Sequence, residues 1–140
     1  MERTSKAHWT GTLKDGNGTM STASGVLNNA PFTYMTRFEN GKGTNPEELI
    51  GAAHAGCFTM SVGAMLAKNG HAAEALDTDA TVTLDNVNGV PTVTKVHLKI
   101  NGKVPGIDKA AFDAIAADAK KNCIISRLLN AEVTLETSFG

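Results

Sequence analysis

Residues Leu49 to Ala67 read LIGAAHAGCFTMSVGAMLA and contain no Asp, Glu, Lys or Arg. A helix with no charged face has no stripe to offer to water, so this stretch predicts a helix buried all round. Its nineteen residues are also close to the minimum for a membrane span. His54, Thr59, Ser61 and three glycines interrupt it, and neither flank has an interfacial Trp or Tyr. A core helix is therefore the expected form. The residues before it supply a helix start. Asn45 can cap free N–H groups, Pro46 suits the first helical position, and Glu47 and Glu48 face the positive end of the helix dipole. Asn69-Gly70 supplies the stop. A chain of 140 residues has little with which to cover such a helix. The small residues Gly51, Ala52, Ala55, Gly56 and Gly63 would admit a second helix closely, so a homodimer is expected.

Upstream, the chain reads as β. Ala7–Lys14 alternates weakly around Trp9 and Leu13, Asp15-Gly16-Asn17-Gly18 is a hairpin turn, and Thr19–Ser24 is the return strand. Phe32–Phe38 reads as a third strand. Downstream, Asp79–Asp85 and Val90–Ile100 form a hairpin about the turn Asn86–Gly89. Pro105-Gly106-Ile107-Asp108 opens a second helix from Lys109 to about Lys121, Ile124–Leu129 is an apolar turn, and Ala131–Thr137 is a closing strand. The order strands, helix, strands, helix, strand predicts an α+β fold of antiparallel sheets on the central helix, in one domain.

Thirteen basic and fourteen acidic residues nearly balance, with no basic stripe and only one Tyr and one Trp. Nucleic acid has no electrostatic or stacking surface here. The polar start MERTSKAHW lacks a secretory h-region, so a cytoplasmic location with reduced cysteines is expected.

Five residues invite a chemical reading, and each has a plainer one. Cys57 and Cys123 fit the ordinary habit of free cysteine as a small buried hydrophobe. Their separation matches no metal-ligand spacing. His54 lies three residues before Cys57 and would share its helix face. That permits a Cys–His nucleophile or half a zinc site, but a core histidine with a local hydrogen bond is the commoner outcome. Arg37 reads as a solvated strand residue, and Glu47 as a first-turn helix acid.

Their order carries more than any one of them. TRFE, then GKGTNPEELIGAAHAGCF, then a distal cysteine in KKNCIISRLL resembles the OsmC/Ohr family of thiol-dependent peroxidases, nearest to its OsmC branch. The opening AHW and GVLN and the late VPGID extend the resemblance over essentially the whole chain. It implies an intertwined homodimer that reduces organic hydroperoxides to alcohols. By position, Cys57 matches the peroxidatic cysteine and Cys123 the resolving one. Arg37 matches the arginine that contacts the reactive sulfur, and Glu47 the acid that holds this arginine. No metal or organic cofactor is implied, and a dihydrolipoyl group is the suggested reductant. One departure is visible: Ile124 stands where family members often carry proline after the distal cysteine.

The implied chemistry is physically coherent. A thiolate attacks the peroxide oxygen. Burial alone would raise a cysteine above its ordinary pKa of about 8.5, so a compensating cation is needed. Arg37 cannot be neutralised, and at about 4 Å and an effective dielectric near 20 one such pair gains up to about 4 kcal/mol. Cys57 would become a sulfenic acid, Cys123 would condense with it to a disulfide, and an external dithiol would reset the pair. Phe32, Met35, Phe58 and Met60 are candidates for an apolar surround that favours a carbon tail. Glu47 and Cys57, ten residues apart on one helix, differ by roughly 15 Å along its axis. Either the Arg37/Glu47 pair of one subunit meets the cysteines of the other, or the helix breaks near its start. A dithiol redox sensor without turnover, or a small-molecule binding domain with inert cysteines, are the alternatives.

Overall fold

The cap at Asn45 forms as its sequence predicts. In a computed structural model describing all 140 residues, the Asn45 side-chain oxygen accepts the Glu48 N–H at 2.8 Å. The helix it opens runs unbroken over Pro46–Lys68, and Gly70 stops it with φ +79°. No break occurs near its start. The chain divides into two compact units, Met1–Leu49 and Ile50–Gly140.

In the first unit, β1 (Ser5–Thr10), β2 (Asn17–Thr22) and β3 (Ala30–Phe32) form an antiparallel sheet in that order. Gly18 is opposite both Trp9 and Phe32. Those two rings pack together across it, with centroids 5.3 Å apart. A Cβ on Gly18 would come within 2.6 Å of Trp9 and 2.7 Å of Phe32, so only glycine lets the aromatic pair close.

The expected third strand ends early. Phe32 is its last residue, and Tyr34–Phe38 is a short helix, α1. The aromatic and β-branched content of this run suits a strand, but Thr33 and Thr36 form a reciprocal capping box that favours a helical turn. The Thr36 N–H donates to Thr33 Oγ1 at 3.3 Å, and the Thr33 N–H donates to Thr36 Oγ1 at 2.9 Å. Arg37 therefore projects from a helix, not a strand.

The second unit is built on the remainder of the long helix, α2 (Pro46–Lys68). Its buried residues are Gly51, His54, Phe58, Val62 and Leu66, spaced three or four apart on one face. Phe58, Val62 and Leu66 belong to a core with Val96, Leu98, Ile100, Phe112, Ala116 and Ala119. The sheet comprises β4 (Ala75–Val87), β5 (Val90–Lys103) and β6 (Glu132–Phe139). α3 (Lys109–Asn122) starts from an Asp108 cap, whose side chain accepts the Ala111 N–H at 2.8 Å. Phe112 lies so close to Gly102 that a Cβ there would overlap its ring.

Two expectations are corrected here. The sheets are not all antiparallel: β4 and β5 form the expected hairpin, but β6 runs parallel to β5. The intervening α3 and α4 (Ile124–Leu128) return the chain to the same end of the sheet, as a parallel pair requires. Nor is α2 buried all round within one chain. Ala53, Gly56, Met60 and Ala64 form an exposed stripe, with Met60 78% exposed, because the sheet and α3 pack on its other face.

Candidate active site

Two helical segments bring the thiols together. His54 and Cys57 are three residues apart on α2, and Cys123 and Ser126 have the same spacing where α4 begins. Each pair therefore shares a helix face. The cross-contacts match. Cys57 Sγ lies 3.2 Å from Cys123 Sγ, and His54 Nε2 lies 2.6 Å from Ser126 Oγ. Both cysteines are free thiols. A disulfide is about 2.05 Å long, so closure needs about 1 Å of approach.

Cys123 holds its place through the backbone. It ends α3 and begins α4, with its N–H donating to Ala119 O at 2.8 Å and its carbonyl accepting the Arg127 N–H at 3.0 Å. Its residue is 1% exposed, whereas Cys57 is half-buried. Cys57 and Cys123 line a cleft of about 290 Å³ together with Met60, Ser61, Asn122 and Ile124. Met60 and Ile124 supply much of its apolar lining. Of the other apolar candidates, Phe58 is fully buried in the core of the second unit; in the first unit, Phe32 packs on Trp9 and Met35 is exposed.

The surroundings push the two thiols apart in acidity. Burial, reinforced by the neighbouring Cys123 thiol, raises the pKa of Cys57 against the opposing effect of the Ile125 and Ile124 N–H groups. Burial also acts upward on Cys123, but the N–H and hydroxyl of Ser126, with Cys57 and the Ile125 N–H, outweigh it and leave its pKa lowered. The departure at Ile124 acquires a meaning here. A proline has no N–H to donate, whereas Ile124 directs one toward Cys57, and α4 forms without a helix-start proline.

His54 is fully buried, and burial lowers its pKa below the ordinary histidine value. Its Nδ1 has no hydrogen-bond partner. Leaving such an atom unpaired in a core costs about 1–3 kcal/mol. The hydrogen bond expected of a core histidine exists, but it reaches 72 residues along the chain to Ser126. Ser126 carried no signal in the sequence beyond standing three residues after Cys123.

The second pair of site residues lies in the first unit. Arg37 Nε donates to Glu47 Oε1 at 3.1 Å, and Nη2 donates to the same oxygen at 2.9 Å. The remaining oxygen, Oε2, is 3.3 Å from Nε. The guanidinium also sits 5.3 Å from the Phe38 ring centroid, a cation–π contact. Asn45 ties the start of α2 to α1 by donating from Nδ2 to Thr36 O at 2.9 Å. Glu48 is occupied separately by the Thr44 hydroxyl at 2.7 Å, so Glu47 is the acid that meets Arg37. The fold thus joins Cys57 to Cys123 and Arg37 to Glu47.

The sequence profile of OsmC-like proteins matches residues 39–138. The chain belongs to the OsmC-like family. It is 52% identical over 131 residues to the peroxiredoxin OsmC of Escherichia coli (strain K12), spanning 94% of this chain and 92% of that protein. A more distant relative is an organic hydroperoxide resistance protein of Xanthomonas axonopodis pv. citri, 34% identical over 100 residues, covering 68% of this chain and 67% of that one. The OsmC-like fold is also that of the organic hydroperoxide resistance protein OhrB of Bacillus subtilis. Its crystal structure matches with a TM-score of 0.72 at 20% identity and covers 98% of both chains.

Proposed function

We propose that this OsmC-like chain is a cysteine-based peroxidase that reduces organic hydroperoxides to alcohols. The observation that carries this reading is the pair of free thiols, 3.2 Å apart, in a partly apolar cleft. The names of its relatives, a peroxiredoxin and a hydroperoxide resistance protein, support the same chemistry.

Cys57, the more exposed thiol, attacks the terminal peroxide oxygen. The O–O bond breaks, the alcohol leaves, and Cys57 becomes a sulfenic acid. Cys123 then attacks that sulfur, forming a disulfide and water. A dithiol, such as a dihydrolipoyl group, restores both thiols by exchange. Such a cycle suits a reducing compartment, and the cytosol is the proposed location.

Cys57 has its pKa raised within its own chain, so the attacking thiolate requires a cation. Arg37, held by Glu47, is the proposed source, supplied by the second subunit of a homodimer. Two features support that arrangement. The unbroken α2 separates Glu47 from Cys57 by roughly 15 Å of helix axis. The exposed face of α2 offers the small residues Ala53, Gly56 and Ala64 for close helix packing.

Steady-state consumption of cumene hydroperoxide with excess dithiol tests the reading. A peroxidase turns over many times; a redox sensor consumes one equivalent and stops.

A further inference from the structure

α4 is lightly held within its own chain. It is five residues long, has no buried residue and has no side-chain cap. A helix this short is marginal alone and needs tertiary contacts to keep its place. Ile124 and Leu128 are each 73% exposed, and Ile125 packs on the core from a half-buried position. The one side-chain hydrogen bond from α4 to another element joins Ser126 Oγ to His54 Nε2 on α2, at 2.6 Å. His54 precedes Cys57 by three residues, and Ser126 follows Cys123 by three. Cys57–Cys123 and His54–Ser126 are therefore adjacent rungs between the same segments. The histidine is fully buried with Nδ1 unpartnered, an arrangement an aliphatic side chain would avoid. Packing alone does not account for the imidazole; a bond that fixes α4 does.

We propose that His54 and Ser126 are positioning residues whose hydrogen bond latches α4 to α2 and so holds Cys123 at closing distance from Cys57. Cys123 is the joint at which α4 begins, and its carbonyl accepts the Arg127 N–H of that helix. Where α4 lies therefore governs how the Cys123 side chain is aimed. With the latch formed, the two sulfurs are already 3.2 Å apart in the dithiol. The entropy of bringing them together is then lost on folding and not at closure, which raises the effective concentration of each thiol at the other. Closure to a disulfide needs about 1 Å of further approach. Side-chain rotation at the two cysteines can supply that while the neighbouring rung stays formed. The same latch keeps both thiols in place when a dithiol reopens the bond. The inference rests on the peroxidase reading only for the use made of the disulfide; its formation can be measured without peroxide.

The test is the equilibrium between dithiol and disulfide in mixtures of reduced and oxidised dithiothreitol, quenched with acid, alkylated and weighed by mass spectrometry. Each protein disulfide formed reduces one dithiothreitol disulfide, with two electrons and two protons passing between them. Wild type is compared with Ser126→Ala, with His54→Phe, which fills the ring's space without a polar atom, and with the double variant. Each single change should lower the equilibrium constant for disulfide formation about tenfold, a rise of about 30 mV in reduction potential. The double variant should fall no further than the weaker single one, because both changes remove the same bond. A residue that only stabilises the fold weakens both redox states alike and leaves this constant unmoved. A shift of less than about threefold in the single variants, a shift toward the disulfide, or additive losses in the double variant overturns the latch. Ser126 is half-buried, so Ser126→Ala decides alone if His54→Phe does not fold. If wild type consumes no peroxide but these shifts occur, the peroxidase reading has failed and the latch stands. If wild type forms no internal disulfide at any ratio, both have failed.

Discussion

Cys57 and Cys123 are 66 residues apart in sequence and 3.2 Å apart at their sulfurs. They are brought together because Cys123 is the joint between α3 and α4, and Cys57 is on the side of α2 that meets this joint. The approach is set by regular backbone hydrogen bonds on both sides of Cys123 rather than by a loop. A pair so placed can close and reopen with small movements.

If Arg37 acts on the partner's Cys57, two inactive variants should restore each other. Arg37→Ala and Cys57→Ser are each expected to lose at least about 100-fold in kcat/KM, as is common when an electrostatic partner of the reacting group is removed. Co-expressed, they form mixed dimers with one complete site. Random pairing should restore about a quarter of wild-type activity. No recovery, with mixed dimers verified by mass, would place the arginine and the thiol in one chain. Arg37→Lys should rescue poorly, because an ammonium cannot reproduce the guanidinium fork on Glu47.

Met60 and Ile124 should set the preference for carbon-rich peroxides, since both line the cleft beside the thiols. Truncating both to alanine removes apolar contact from a bound tail but leaves the chemistry in place. The ratio of kcat/KM for cumene hydroperoxide over hydrogen peroxide should fall by about tenfold. A ratio unchanged within twofold would mean that the tail binds elsewhere.

Gly102→Ala places a methyl group into the Phe112 ring. Overpacking of this kind costs about 1–3 kcal/mol. Urea unfolding should show that loss, and Phe112→Leu in the same chain should recover part of it, because the two positions share one space. Additive losses in the double variant would show that the clash is relieved some other way.

Acid should weaken the fold through His54. Its pKa is lowered in the folded chain, so the unfolded chain binds more protons below the ordinary histidine value of about 6.5. Its contribution to stability is thus fully present above about pH 6.5 and is lost as pH falls from there through the folded-state pKa. Urea midpoints should drop between pH 7 and 5 in wild type and drop less in His54→Gln. Equal slopes in the two proteins would show that His54 does not titrate on unfolding.

Much of this architecture is written in local sequence signals. Asn45-Pro46 starts α2, Gly70 stops it, Asp108 caps α3, and the turn at Asn88-Gly89 takes positive φ at both residues. Each depends on a few neighbouring residues, so each is readable. The misread parts depend on competition or distance. Tyr34–Phe38 has the composition of a strand, but the Thr33–Thr36 box outweighs that propensity. The parallel direction of β6 follows from the α3–α4 crossover and from nothing within Glu132–Phe139. The four residues of the site were nameable from family resemblance, and the fold pairs them two by two. Ser126 was not, because its partner His54 lies 72 residues away and no local pattern announces the contact.

Turnover of cumene hydroperoxide with excess dihydrolipoamide, compared among wild type, Cys57→Ser and Cys123→Ser, tests the peroxidase mechanism most directly. Wild type should cycle, Cys57→Ser should consume no peroxide above the uncatalysed rate, and Cys123→Ser should be oxidised at Cys57 without forming the internal disulfide. Retained turnover in Cys57→Ser would contradict the mechanism outright.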